Sequence, residues 1–462
     1  MGVASPDPRD ERIAELERIV AEQARTIERL ERLVRELTAK LGNNSRNSNK
    51  PPSTDPKPRR KKTGSKLKRG GQLGHTGVTR GLVDDPDAIV PVLPPQCSCC
   101  GKRLSGRDLA PQREQVIELP EIHPHVTEYQ LHALTCRCGV TTRAQLPVHI
   151  RGGYGPRLCA LVAHLTGALR LSKRSTSQLM WDLLGVPMAE GTVCKVEQRV
   201  ACALAPAHAE AVAAVQSASL VHADETGWRE DKQRAWLWVF ATVSISLFAI
   251  ARTRGRSVVE QTLGPTFAGF LVSDRWGPYK HVDVRRRQLC WAHLLRDFNW
   301  MLERSTGDTV EHIEALQANA EEIFHHWHRL RNGELTRRGF QRRVTNLRYR
   351  VEDELAWLRA YACKGVAGKA KEILNLKAAL WTFVDNVGIE PTNNHAEQQV
   401  RHAVIWRKCS YGTDTAAGSR YVERVLTVVQ TARKQKRNPF ELLTAYVTAW
   451  FHETPPPRLA AA

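Results

Sequence analysis

The chain has 462 residues, with 68 Lys and Arg against 48 Asp and Glu, so its formal net charge is +20. That length exceeds one ordinary domain, and 42% hydrophobic with 25% charged residues excludes both a disordered polyelectrolyte and a membrane protein. So large a basic excess points to a polyanionic partner, most simply nucleic acid, with an acidic membrane surface as the rival.

The charge is unevenly spread. Residues 1–41 hold 8 basic and 9 acidic side chains, whereas residues 42–83 hold 11 basic ones and only Asp55 on the acidic side. The first segment carries an apolar heptad, Ile13, Leu16, Val20, Gln23, Ile27, Leu30, Val34, Leu37 and Leu41, broken only by Gln23. Mostly β-branched residues at one core position and mostly Leu at the other favour a parallel two-stranded zipper over residues 10–41. A helix packing on its own protein is the competing reading, and Ile19 and Leu33 widen the stripe in that direction. Residues 42–83 lack periodicity and read as a flexible arm. There Lys57, Arg59, Arg60, Lys61, Lys62, Lys66, Lys68 and Arg69 are candidates for phosphate neutralisation. These charged first residues lack the apolar core of a signal peptide, which leads us to expect a cytoplasmic protein.

Residues 84–150 read as a small module with two knuckles, Cys97-x2-Cys100 and Cys136-x-Cys138, each followed by Gly. Strand-like runs at Gln115–Leu119 and Val126–Leu134 lie between them. In a reducing compartment, two thiolate pairs on tight turns can supply the four soft ligands of a structural zinc site, with Cys99 as an alternative ligand. Residues 151–217 read as helical. A helix opened by Ser172 and reaching Leu184, a break at Gly185-Val186-Pro187 and a second helix from Ala189 make the outline of a helix-turn-helix, which plain helical hairpins share.

Strand patterns begin at residue 218. Leu220 onward, Ala235–Thr242 and Ile245–Arg252 predict a three-strand meander, Ser257–Leu263 a helix, and Gly269–Ser273 a buried strand ending on Asp274. The uncharged stretch Ala235–Ala251 suits a buried hairpin better than a membrane span. Asp224 and Asp274 at strand ends are candidate site carboxylates, because an α/β sheet presents side chains for a shared site there. Packing two such acids together is costly without a cation. Residues 310–385, rich in Glu, Arg, Leu and Trp, predict an inserted helical region. Asn393 onward predicts a helix capped by Asn, with Glu397 in its first turns and an ordinary Glu397/Arg401 ion pair as the bland alternative.

The segments HADETGW, SDRWGPY, CWAHLLRDF and PTNNHAEQQVRHAVIWRKCSYGT resemble the catalytic core of the insertion-sequence family sixty-six transposases, of the DDE class. LGNNSRNSNKPPSTD, RGGQLGH, the cysteine knuckles, YGPRLCALVAHL and LSKRSTSQL resemble the N-terminal regions of the same family in the same order. Leu73 within RGGQLGH and the Cys-x-Cys second knuckle depart from the family pattern.

The resemblance implies an α/β RNase H-like catalytic core in two parts, residues 218–299 and 387–450, around a helical insertion at 300–386, with a tail at 451–462. It implies Asp224, Asp274 and Glu397 as catalytic ligands of two magnesium or manganese ions, and Cys290 and His293 as supporting residues. Arg401, Arg407 and Lys408 follow Glu397 as candidate DNA contacts. With Cys97, Cys100, Cys136 and Cys138 on one structural zinc, the expected protein is a DNA transposase. It would bind terminal inverted repeats, cleave DNA and transfer strands. Its expected partners are double-stranded DNA, a second copy of itself through the zipper, and companion proteins of the element, near the bacterial nucleoid. A DNA-binding regulator with an inactive core, and an RNase H-like nuclease without strand transfer, are the alternatives.

Overall fold

Apolar runs from Leu220 onward build the sheet that organises the protein. The computed structural model describes residues 8–41, 44, 80–147, 149–150 and 152–460. The basic run Lys57, Arg59, Arg60, Lys61, Lys62, Lys66, Lys68 and Arg69 lies outside the described residues. The chain divides into two units, Pro56–His125 and the combination of Met1–Asp55 with Val126–Ala462.

In the smaller unit the described residues, 80–125, form neither helix nor strand, so the run Gln115–Leu119 is irregular rather than the expected strand. A side chain takes the place of a ladder: the Gln115 amide donates to Val83 O at 2.7 Å and accepts from Val83 N–H at 2.8 Å. The first cysteine knuckle is a tight turn in which Gly101, at φ 70°, donates to Cys97 O at 3.0 Å. Amide N–H groups of Cys100 and Cys99 draw the Cys97 thiol below its ordinary value.

The larger unit opens with α1, Pro8–Leu41, on which every described side chain is exposed, including Leu16, Val20, Ile27, Leu30 and Val34 of the heptad. A short hairpin, β1 (Ala133–Thr135) and β2 (Thr141–Arg143), carries the second knuckle in its turn. The expected strand over Val126–Leu134 therefore begins only at Ala133. There Gly139, at φ 87°, donates to Cys136 O at 2.9 Å, and the Cys138 amide holds the Cys136 thiol low.

Four helices follow: α2 (Pro156–Ala163, extended by a π turn to Ala168), α3 (Lys173–Leu184), α4 (Glu190–Ala203) and α5 (Ala205–Gln216). Ser172 Oγ accepts from Ser175 N–H and starts α3, while left-handed Gly185 ends it. Helix α4 buries Val193, Val196, Val200 and Ala203, leaving Lys195 and Gln198 facing outward.

Strands β3 (Leu220–Glu230), β4 (Gln233–Ala241) and β5 (Ser246–Ala251) form the antiparallel meander. Its first turn, Asp231-Lys232, takes φ of 52° and 57°, the mirror-image turn that matches strand twist. After α6 (Arg256–Leu263), β6 (Phe270–Ser273) pairs parallel to β3, and β7 (Arg287–Leu289) parallel to β6. The order β5-β4-β3-β6-β7 makes a mixed α/β sheet consistent with the RNase H-like core that the resemblance implies.

Helices α7 (Trp291–Leu302), α8 (Asp308–Arg331), α9 (Arg337–Tyr361), α10 (Lys364–Leu374) and α11 (Thr382–Asp385) pack around one core that includes Phe298, Trp327, Phe340 and Trp381. Helices α12 (Asn394–Ser410), α13 (Ala416–Lys434) and α14 (Pro439–His452) close a second core with α2–α5 and the meander.

Edge strand β5 is sealed by α13. The amides of Ser246, Phe248 and Ile250 donate to Thr431 Oγ1, Thr427 Oγ1 and Glu423 Oε1 at 3.0, 3.1 and 2.5 Å. Two strand residues advance roughly 6.6 Å and one four-residue helix step about 6 Å, so the two repeats stay in register. An edge that would otherwise invite another strand is thus satisfied internally. Among the described residues no helix is long and apolar enough to cross a membrane, and Ala235–Ala251 is the β4–β5 hairpin, its strands largely buried and Val243 exposed at its turn.

Candidate active site

Parallel pairing aligns His222 with Val272, so the chain delivers Asp224 and Asp274 side by side just past the last β3–β6 pair. Both aspartates are half-buried, and each is aimed by a backbone amide. Glu225 N–H donates to Asp224 Oδ1 at 2.9 Å, and Trp276 N–H to Asp274 Oδ1 at 2.8 Å. Desolvation and the neighbouring carboxylates of Glu225, Asp274 and Glu397 hold the Asp224 carboxyl well above its ordinary range. Such crowding is what a cation would relieve.

Glu397 comes from the first turn of α12, and the residue that starts this helix does not cap it. Asn393 is buried, and its Nδ2 donates to Ala223 O at 2.8 Å while Oδ1 meets His222 Nδ1 at 3.2 Å. Its backbone N–H donates to Cys290 Sγ at 3.2 Å. One asparagine thereby joins β3, α12 and the start of α7. Behind it Lys434 Nζ donates to Thr242 O and Ile245 O at 2.8 and 3.0 Å and lies 2.9 Å from His395 Nε2, which is itself 2.9 Å from Thr242 O. Burial lowers Lys434 to about 7, and burial together with the Lys434 charge draws the His395 imidazole below its ordinary value.

Cys290 precedes α7 and His293 lies in its first turn, each facing Glu397. Cys290 Sγ is 4.0 Å and His293 Nδ1 3.7 Å from Glu397 Oε1. The three residues offer ligand atoms that all lie within 4.8 Å of one another. The acids are not gathered as tightly. Among the described residues, no group containing Asp224 or Asp274 brings three ligand atoms that close.

Several neighbours that sequence reasoning did not single out brace the acids. Glu225 accepts from Arg254 Nε and Nη2 at 2.8 and 2.5 Å and from Tyr279 OH at 2.6 Å. The Arg254 guanidinium also lies over Trp236 and Trp276, at 4.7 and 4.1 Å from the ring centres. Arg275 grips Asp297 of α7 and Glu372 of α10, both at 2.7 Å. Arg287, fully buried, donates to Asp274 O at 3.2 Å. Glu225, Arg275, Trp276, Tyr279, Asp297, Asn393 and His395 all sit inside the quoted motifs, and that adjacency was the available signal. Arg254, Arg287 and Lys434 carry none.

A family model described as "Transposase IS66 family" matches residues 151–421. The chain belongs to this family. A second model, described as a family of unknown function, matches residues 3–81, and no curated protein matches the chain. Within this transposase-family core, Arg401 and Lys408 face solvent on α12, and no ion pair joins Glu397 to Arg401 among the described residues. Arg407 instead donates to Gly227 O at 2.5 Å and to Thr226 Oγ1 at 3.3 Å, fastening α12 to β3.

Proposed function

We propose that the protein is a DDE-type DNA transposase in which Asp224, Asp274 and Glu397 are the catalytic acids. The observation that carries this reading is the parallel β3–β6 register that sets Asp224 beside Asp274, where burial and the carboxylates of Glu225, Asp274 and Glu397 raise the Asp224 carboxyl, in a chain of the transposase family. Hard carboxylate oxygens that repel one another fit a pair of magnesium or manganese ions. When bound, those ions would offset charge on the attacking and leaving oxygens of a phosphodiester.

The chain's own residues supply the positioning. The amides of Glu225 and Trp276 orient the two aspartates, and Asn393 fixes the helix that carries Glu397. Water attacks at the element end first, and the freed 3′-hydroxyl then attacks target DNA. Arg401, Lys408, the helical region 151–217 and the basic arm bind the duplex, whose affinity falls steeply with salt. Arg407 acts in this scheme through β3. The exposed heptad of α1 pairs with a second copy. The helical insertion 300–386 binds element ends or braces the assembly.

The test is magnesium-dependent cleavage and strand transfer on the element's own inverted repeats. Loss in Asp224→Ala, Asp274→Ala and Glu397→Ala alike is expected, and undiminished joining in any one variant removes that residue from the set.

A further inference from the structure

We propose that Cys290, His293 and Glu397 form a binding site for a thiophilic divalent ion of the zinc class, which competes with the catalytic magnesium for Glu397. The competition rests on the catalytic reading of Glu397, whereas the binding site does not. Tetrahedral zinc holds sulfur at about 2.3 Å and nitrogen or oxygen at about 2.0–2.2 Å, which sets ligand atoms roughly 3.3–3.7 Å apart. The observed separations from Glu397 Oε1, 3.7 Å to His293 Nδ1 and 4.0 Å to Cys290 Sγ, need only a small closing movement.

The donor set is wrong for magnesium, which takes oxygen ligands in octahedral geometry, and right for a softer ion that accepts sulfur and imidazole. Two further observations point to a bound ion. His293 Nδ1 is buried without a hydrogen-bond partner, an uncommon and costly condition that a metal bond would remove. Cys290 Sγ is oriented into the cluster by the Asn393 amide, which it accepts at 3.2 Å, and its thiol proton leaves to solvent when the sulfur binds the ion. Solvent reaches the cluster past Glu397, whose side chain is 30% exposed against 16% for His293.

A zinc-class ion here draws Glu397 toward α7 and away from Asp224 and Asp274. The expected consequence is inhibition of magnesium-dependent cleavage by low zinc, relieved by raising magnesium.

Cobalt(II) titration of the full chain reads the site directly, through the near-ultraviolet sulfur-to-cobalt charge-transfer band and the bound-metal content. Cys290→Ser and His293→Asn should each bind about one equivalent less than the wild type. Cys290→Ser should also lose part of the charge-transfer band. Glu397→Gln, at a partly exposed position that folding should tolerate, should weaken the same equivalent and covers the case in which the buried variants misfold. Unchanged cobalt content and band intensity in Glu397→Gln and in either folded buried variant overturns the site. Wild-type cleavage that is absent with magnesium, beside an intact cobalt signal, would instead defeat the functional reading and leave the site standing.

Discussion

Asp224 and Asp274 reach the site on neighbouring strands, whereas Glu397 arrives on a helix more than a hundred residues later. The aspartates are placed by backbone register, since the β3–β6 pairing that aligns His222 with Val272 fixes the direction in which both strands continue. No such ladder holds Glu397. Its position depends on side chains, chiefly Asn393 against Ala223 and His222, with Lys434 and His395 behind. A strand-borne acid is therefore robust to distant substitution, and a helix-borne acid is adjustable. Glu397 accordingly stands near a second set of neighbours, Cys290 and His293.

The largest effect should come from the acids themselves. Asp224→Ala or Asp274→Ala should lower strand transfer by on the order of 10³-fold, the worth of several kcal/mol of charge stabilisation, in a magnesium-dependent joining assay. Equal losses in the two variants would support the symmetrical role that register gives them.

Asn393→Ala separates the two modes of placement. It should cost roughly 10–100-fold and raise the magnesium concentration needed for half-maximal joining, as the loss of an outer support does. A decline in rate with unchanged magnesium dependence would mean that Asn393 does not govern Glu397.

Lys434 tests the layer behind it through pH. Burial depresses its ionisation from 10.5 to about 7, so between those values the unfolded chain binds a proton that the folded one does not. Stability should therefore rise with pH across that window, by up to about 1 kcal/mol per unit relative to Lys434→Met. Parallel denaturation curves for the two proteins from pH 7 to 10 would contradict this.

The smallest effect concerns the outer face of α12. Arg401→Gln should lower the salt slope of DNA binding by about 0.9, the signature of one phosphate contact. Arg407→Gln should leave that slope alone and reduce joining instead, because Arg407 is tied to Gly227.

Much of the sheet was legible because strand patterning is local. The expected strands at Ala235–Thr242 and Ile245–Arg252 are β4 and β5 within two residues at each end, and the strand ending on Asp274 is β6. Segments lacking an apolar face were misread. Gln115–Leu119 has the β-branched and apolar residues of a strand, yet it pairs with no strand among the described residues and is irregular. Asn393 reads as a cap by residue type, since nothing in the local pattern reveals that Ala223 O, 170 residues away, offers its amide a better partner. Cys290 and His293 were legible as a motif through resemblance, but their approach to Glu397 was not.

Residue order alone determined the apolar runs that make β3–β6, the heptad of α1, the charge imbalance and the motifs that carry the three acids. Those are properties of neighbours in the chain. Only tertiary structure decided that Asp224 and Asp274 meet across a parallel pair, that α13 seals β5, and that Glu397 faces Cys290 and His293. Each of these joins side chains or strands far apart in sequence. Their geometry is set by packing and by the burial of groups that must then find partners.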